Sequence, residues 1–205
     1  KVGSWDNVFI SSVLTHGNQQ LVGKSIKQAA AETGKEPYAL IRDLLIDEED
    51  QVWMINFSLS EDNFRRIIAH PLVVIGSDGW ALAPYGTLGR DKPHPRSYGT
   101  FPRMLGRYVR DENLLSPGIA IEKMTSMTAR KFGLRGRGQI REGFFADVVV
   151  FDPYNIIDLS SWTDPHQFGR GIEHVIVNGR IVIREGEHTG ALPGKVLKKI
   201  DRITI

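Results

Sequence analysis

A short apolar run that ends in a carboxylate constrains this chain more than any other stretch. Residues 73–79 read Val-Val-Ile-Gly-Ser-Asp-Gly. The β-branched residues predict a buried strand over 72–75, and the Gly-Ser-Asp-Gly sequence predicts a turn at its end. In barrels that alternate strands and helices, the groups that act on the substrate lie where the strands end. Asp78 is therefore a candidate catalytic residue, although aspartate also forms ordinary Asx turns.

The rest of the chain divides into two patterns. Up to residue 78, predicted strands at 8–10, 51–57 and 72–75 alternate with predicted helices at 25–33, 37–47 and 61–69. Strands separated by helical crossovers indicate parallel βα units. After residue 133, Asn178-Gly179 stands between two β-branched runs, which is the strongest short-range signal for an antiparallel hairpin. We therefore predict two parts, 1–132 and 133–205.

Composition narrows the classes of partner. The 205 residues carry 26 basic and 24 acidic side chains, so no basic excess predicts a nucleic-acid surface. No apolar run approaches the ~18 residues of a membrane span. Cysteine is absent, so no disulfide forms and a cytoplasmic location is the default expectation. The chain begins at Lys1 without an initiator methionine, which is compatible with a piece of a longer protein.

A long segment rich in Pro, Gly and Tyr, residues 79–99, supplies further candidates. Long irregular loops in compact domains are usually functional. His94, Arg96 and Arg90 are predicted to bind substrate. His94 would line the site, since loops at the strand ends build such sites, and Arg96 would clamp a substrate carboxylate bidentately. Arg90 or its neighbour Lys92 would face an acidic or polar side chain of the substrate. A loop histidine that hydrogen-bonds the backbone is the simpler interpretation of His94. Arg103 is interpreted as a surface arginine, and Trp53 and Phe101 as core residues.

These residues occur within a longer series of motifs. In chain order the motifs are GSDG at 76–79, HPR at 94–96, GTFPR at 99–103, MTS at 124–126, GQIREG at 138–143, ADVVVFD at 146–152 and VIVNG at 175–179. The series resembles the C-terminal part of the N-acyl-D-amino-acid deacylases, or D-aminoacylases, of the amidohydrolase superfamily. The resemblance extends from about residue 5 to about residue 197.

The resemblance implies an α/β fold: the C-terminal portion of a (β/α)8 metal-dependent hydrolase barrel plus a small β-sandwich. Residues 1–132 would form the last βα units of the barrel, and 133–205 the sandwich segment and tail. The substrate would be a small N-acyl-D-amino acid. Asp78 would end the eighth barrel strand, take a proton from a metal-bound water and pass it to the leaving nitrogen. A carboxylate beside a metal-activated water is suited to that chemistry.

The chain departs from the family in its metal ligands. The family binds zinc through histidines on early strands, a further pair of histidines and a cysteine. This chain has no cysteine, and its six histidines include no His-x-His pair. We therefore expect zinc in the intact enzyme, no zinc ligands in this chain, and an inactive isolated chain. The open sheet edge of a partial barrel also predicts self-association.

Two alternatives remain open. A cyclic-amide hydrolase, related to dihydroorotases or hydantoinases, would share the motif around 143–152 but would lack the block at 94–103. A non-catalytic truncated module with a structural role would account for the missing metal ligands.

Overall fold

The structure is a computed structural model that describes residues 4–89 and 92–197. The strands are β1 Val8–Ser12, β2 Trp53–Asn56, β3 Val148–Phe151, β4 Ile172–Val177, β5 Arg180–Arg184 and β6 Glu187–His188. The α-helices are α1 Ile26–Thr33, α2 Pro37–Asp47, α3 Glu61–Ala69, α4 Arg96–Arg103, α5 Pro117–Met124 and α6 Ser126–Phe132. A π-helical stretch, Met104–Asp111, continues α4. No helix in the described ranges has both the length and the apolar character needed to cross a lipid bilayer.

Local sequence sets the ends of the first two helices. The Ser25 hydroxyl accepts a hydrogen bond from the Gln28 amide, and the Gln28 side chain accepts one from the Ser25 amide, so α1 begins with a capping box. Gly34 ends α1 in the left-handed conformation, at φ 67°. Pro37 occupies the first turn of α2, where its missing N–H costs nothing. Both helices follow the predicted boundaries closely.

The first core lies between β1 and these two helices. Its buried members are Ile10, Val13, Leu21, Ile26, Ala29, Ala30, Leu40 and Leu44. Glu48, at the end of α2, is also buried, and its carboxylate accepts hydrogen bonds from Leu14, Thr15 and Asn18. Burial alone would raise the pKa of Glu48, but these hydrogen bonds outweigh it and lower the pKa to about 2.

Two strand predictions in the first part are wrong. Strands β1 and β2 pair antiparallel, with Val8 opposite Asn56, and so do not form a parallel βα unit. Residues 72–75 form no strand, because no strand in the described part of the chain lies beside them to complete a ladder. Their backbone bonds instead join Val73 to His70 and Ile75 to the Lys123 carbonyl.

A side chain holds this extended segment in place. The buried Lys123 ammonium donates to the carbonyl oxygens of His70, at 2.5 Å, and Val73, at 2.7 Å. Desolvation lowers the pKa of Lys123. The ammonium lies at the C-terminal end of α3, where the helix dipole favours a cation. The segment that leads to Asp78 is therefore anchored by a lysine and not by strand pairing.

The later helices also differ from the sequence expectation. The cap at Ser116 and Pro117 predicts one helix from 118 to 131, but the structure divides it at Thr125, whose φ of −129° and ψ of −91° are not helical. Helix α4 begins at Arg96, inside the segment predicted to be an irregular loop. Its π-helical continuation contributes Met104 and Tyr108 to a second core cluster that includes Ile75.

The C-terminal part is an antiparallel sheet in the order β3-β4-β5-β6. The predicted hairpin is confirmed, since β4 and β5 flank Asn178 and Gly179, whose φ values are 48° and 78°. Arg137 pairs with Asp147 and donates to the Asn178 side chain at 2.6 Å, which ties the Gly-rich segment before the sheet to the hairpin turn.

Candidate functional site

A cavity of about 670 Å³ lies between β2 and the segment that follows Ile75. Its wall combines residues of β1 and β2 with residues near the two ends of the segment 78–97. The lining side chains that carry polar or aromatic groups include Ser11, Trp53, Asn56, Asp78, Trp80, Lys92, His94, Arg96 and Ser97. Three of the predicted site residues, Asp78, His94 and Arg96, are therefore together in one cavity.

Asp78 is presented to the cavity by a tight turn. The Ser77 hydroxyl accepts a hydrogen bond from the Gly79 amide at 3.2 Å. Asp78 itself has a φ of 47°, in the left-handed region that aspartate tolerates better than most residues. Its side chain is 85% exposed, and its Oδ2 lies 2.9 Å from a guanidinium nitrogen of Arg96. The carboxylate is thus open to solvent and already beside a cation.

Glycine at position 79 allows the turn to approach helix α4. A Cβ atom at Gly79 would lie 2.8 Å from the Cα of Ser97, a distance that a side chain cannot occupy without moving the backbone. The next amide, that of Trp80, donates to the Ser97 hydroxyl at 3.3 Å. The close packing of 79–80 on Ser97 brings Asp78 within reach of Arg96.

His94 is held by its own backbone neighbours and by one aromatic ring. Its Nδ1 accepts a hydrogen bond from the Arg96 amide at 3.0 Å, so the neutral ring carries its proton on Nε2. The imidazole meets the ring of Trp162 edge to face, with centroids 4.4 Å apart. Desolvation and the charge of Arg96 lower the pKa of His94 to about 4, against a smaller opposing effect of Asp78. His94 is therefore neutral at pH 7.

The remaining sequence candidates have separate outcomes. Arg90 lies outside the described residues. Lys92 lines the cavity with Arg96. Arg103 is not among the residues that line the cavity; its guanidinium binds the largely buried carboxylate of Asp158 at 3.0 Å, while the Arg103 side chain stays 39% exposed. That ion pair spans 55 positions of the chain, which no local pattern signals.

The aromatic wall of the cavity was missed at the sequence level. Trp53, which the sequence predicts to be a core residue, is 51% exposed and meets Trp80 edge to face with ring centroids 5.3 Å apart. Phe101 is likewise 44% exposed. The alternating pattern of residues 51–57 contained a signal, because a strand of this kind has two faces and only one of them needs to be buried. Trp162, by contrast, reaches the site from a distant segment.

The described residues do not form a metal site by themselves. Within 4–89 and 92–197, no three side chains of His, Cys, Asp or Glu converge as ligands for an ion. A catalytic zinc site needs three protein ligands and an open position. The ion-pair partner of Asp78 is Arg96, a cation that does not ligate a metal. No catalytic step through a metal follows from these residues.

The chain folds as mixed helices and strands around an open cavity that holds a carboxylate beside an arginine. A sequence model described as "Amidohydrolase family" matches residues 19–183. The chain belongs to the amidohydrolase family.

Similar proteins of known activity span far more sequence than this chain. A D-aminoacylase of Alcaligenes xylosoxydans xylosoxydans is 41% identical over 88% of this chain and 35% of its own length. An N-acyl-D-aspartate deacylase of the same organism is 39% identical over 91% of this chain and 35% of its own length. The chain therefore spans about a third of the length of the curated relatives that it matches.

Solved structures show the same relation. The N-acyl-D-glutamate deacylase of Bordetella bronchiseptica, complexed with zinc and a phosphonate that mimics the tetrahedral intermediate, is 36% identical, with a TM-score of 0.74. It covers 86% of this chain, which covers 34% of it. A D-aminoacylase structure is 38% identical, with a TM-score of 0.76 over 90% of this chain and 36% of its own.

Proposed function

We propose that this chain is the C-terminal part of a zinc-dependent amidohydrolase that cleaves the amide bond of N-acyl-D-amino acids. The observation that carries the proposal is the meeting of Asp78, Arg96 and His94 in one cavity. Support also comes from three deacylases of this substrate class, which are 39–41% identical to the chain.

In this proposal Asp78 is the proton carrier. Its exposed carboxylate takes a proton from the water that attacks the amide carbon and returns it to the leaving nitrogen. The turn at 77–79 fixes the carboxylate while leaving it accessible. A bound zinc supplies Lewis-acid polarisation in the enzymes of this family, and its ligands would come from sequence outside this chain.

Arg96, His94 and Lys92 bind the substrate in this proposal, and Arg90 is retained as a further candidate. Arg96 has five N–H donors, enough to hold the α-carboxylate of the substrate while it keeps its contact with Asp78. Neutral His94 offers its Nε2–H to an amide oxygen. The two cations at 92 and 96 against one carboxylate give the cavity a positive balance that suits an acidic substrate.

The finer fold is part of the same proposal. Residues 1–132 would pack as the last βα units of an eight-stranded barrel and 133–205 as a small sandwich. The antiparallel sheet β3–β6 supports the second assignment. A cytoplasmic location is also proposed, on the lack of cysteine in the sequence.

Two other functions have some support. A dihydroorotase is 35% identical over 71 residues, which keeps cyclic-amide hydrolysis as an alternative. The lack of a metal cluster among the described residues keeps a non-catalytic module as another. The deacylase is favoured because the deacylase matches extend over 177–188 residues.

A chimera tests the proposal directly. The matching third of the Alcaligenes D-aminoacylase is replaced by this chain, and hydrolysis of N-acetyl-D-amino acids is measured beside that of their L-enantiomers and of dihydroorotate. We expect turnover of the D-compounds only. Turnover of dihydroorotate would favour the cyclic-amide alternative, and a folded, zinc-loaded chimera without any turnover would favour the non-catalytic module.

A further inference from the structure

A second region of the chain contacts the candidate site on the side formed by His94 and helix α4. It is residues 158–168, which we call the clamp segment. Trp162 also meets the ring of Phe57 edge to face, with centroids 4.7 Å apart, and three further contacts fall on the stretch that contains His94 and helix α4. They are Trp162 against His94 with ring centroids 4.4 Å apart, His166 Nδ1 to the Tyr98 hydroxyl at 3.0 Å, and Asp158 to Arg103 at 3.0 Å.

The clamp segment is itself well fixed. The buried Ser160 hydroxyl donates to the Pro165 carbonyl at 2.6 Å, and Pro165 is fully buried. The Asp164 amide donates to the Ser161 hydroxyl at 3.0 Å, and the Ser161 amide donates back to the Asp164 carbonyl at 3.0 Å. These hydrogen bonds close a short loop, so Trp162 lies in a fixed turn.

Backbone contacts at both ends bring the clamp segment against α4. A Cβ atom at Gly99 would lie 2.8 Å from the Cβ of Asp158. One at Gly169 would lie 2.6 Å from the ring of Pro102. Glycine at these two positions is what permits the approach, and larger residues would separate the two segments.

We propose that the clamp segment positions the His94–Arg96 side of the site, with Trp162 and His166 as positioning residues. Trp162 fixes the plane of the imidazole whose Nδ1 holds the Arg96 amide. His166 fixes Tyr98, which lies in the first turn of α4. Arg96 is thereby directed at Asp78. Only the statement that this cavity binds substrate rests on the proposed function.

Trp162 also excludes water from one side of His94. The charged groups that face this imidazole are Arg96, which disfavours its protonation, and Asp78, which favours it, and Lys92 lines the same cavity. Desolvation is the largest cause of the lowered pKa of His94. Removal of the indole should therefore raise the pKa of His94 from about 4 toward its ordinary value of 6.5.

The test is an NMR pH titration of the His94 ring in the full 205-residue chain. Trp162→Ala should raise the pKa of His94 by about one unit or more, and Trp162→Phe by less. The same variants should speed hydrogen exchange at the Arg96 amide. Trp5→Ala is the matched control, because Trp5 forms an edge-to-face pair with Tyr38, 5.1 Å apart, outside the site.

The outcomes separate cleanly. An unchanged pKa of His94 in Trp162→Ala, or an equal shift in Trp5→Ala, overturns the proposal. If Trp162→Ala fails to fold, Trp162→Phe and Tyr98→Phe decide it by exchange at the Arg96 amide, which must quicken in both. The titration requires no turnover, so failure of the deacylase proposal leaves this result intact, and the reverse also holds.

Discussion

Two runs of β-branched residues in this chain have nearly the same composition but adopt different secondary structure. Val148–Val150 forms strand β3, whereas Val73–Ile75 is extended but unpaired among the described residues. The first run lies beside β4, which the tight turn at Asn178 and Gly179 in turn pairs with β5. The second run has no comparable partner and is held by Lys123.

The comparison shows that strand formation depends on a partner segment as well as on the residues of the strand itself. Apolar β-branched residues make a segment suitable for a ladder, but the ladder forms only where a second segment supplies the N–H and C=O groups. In the C-terminal sheet that second segment is fixed by a local turn. In the first part, no such segment lies beside the 73–75 run among the described residues.

The largest expected effect is a loss of turnover, caused by a substitution at Asp78, just after the unpaired 73–75 run. In the chimera, Asp78→Asn should lower turnover by about 10²–10⁴-fold, because an amide cannot accept and return the proton. The measurement is kcat for an N-acetyl-D-amino acid, with zinc content checked in parallel. Asp62→Asn, at a side chain that is 94% exposed on α3, is the control and should leave kcat unchanged. Retention of more than about a tenth of kcat would place the proton carrier elsewhere.

The second expected effect is a difference in acid sensitivity between the first core, around Glu48, and the C-terminal sheet. The pKa of Glu48 is about 2 in the folded chain, below its ordinary value of 4.5. Its hydrogen bonds therefore stabilise the fold above about pH 4.5, and this stability is lost as the pH falls toward 2. Hydrogen-exchange protection at Leu14 and Thr15 should fall in that window, while protection in β4 persists.

Variants separate the contribution of Glu48 to acid sensitivity from that of His94, because the pKa of His94 is about 4 and lies in the same pH range. Glu48→Gln should lower protection at Leu14 and Thr15 at neutral pH and make it less sensitive to acid. Glu122→Gln, at an exposed residue paired with Arg130, is the matched control. Equal acid loss in β4 and near Thr15 would mean that the chain unfolds as one unit and would remove the contrast between the regions.

Self-association is the third expectation. The outer edge of β2 is unpaired within the described residues, and its Trp53 and Met54 are 51% and 65% exposed. Such an edge pairs readily with another chain. Light scattering at micromolar concentration should report a dimer or larger species, which Met54→Lys weakens. Leu192→Lys, at an exposed residue beyond the C-terminal sheet, should not. A monomer with a cooperative melt would refute the expectation.

The smallest effect tests the hairpin. Gly179→Ala places a Cβ in the left-handed conformation and should lower the free energy of unfolding by about 1 kcal/mol. Gly194→Ala, where a Cβ would meet nothing within 4 Å, is the control. Urea denaturation measures both. A loss several times larger for Gly179→Ala would mean that the turn organises more than its own two strands.

Sequence patterns predicted the parts of the fold whose determinants are local. The helix start at Ser25, the helix end at Gly34 and the hairpin turn at Gly179 each depend on a few neighbouring residues. The 72–75 strand was predicted wrongly, because its periodicity gives no information about whether a partner exists. The Arg103–Asp158 and His94–Trp162 contacts join positions more than 50 residues apart, and only the folded chain brings them together.

Three of the four candidate site residues lie in one cavity, since the turn that carries Asp78 packs on the start of helix α4, where Arg96 lies, and His94 comes just before that helix. Their roles in binding and catalysis remain predictions. The sequence identified residue types that suit the chemistry, but it did not indicate the aromatic wall of Trp53 and Trp80, which depends on the antiparallel pairing of β1 and β2.

The left-handed backbone of Asp78 restricts how this position can evolve. Glycine, asparagine and aspartate adopt that conformation with the least strain, and of these only aspartate carries a charge. A mutational library at position 78 should therefore yield Gly and Asn as folded, uncharged survivors, with β-branched residues strongly depleted. Under the proposed role of Asp78 as proton carrier, Asp78→Asn is therefore the substitution that removes the charge while disturbing the turn least.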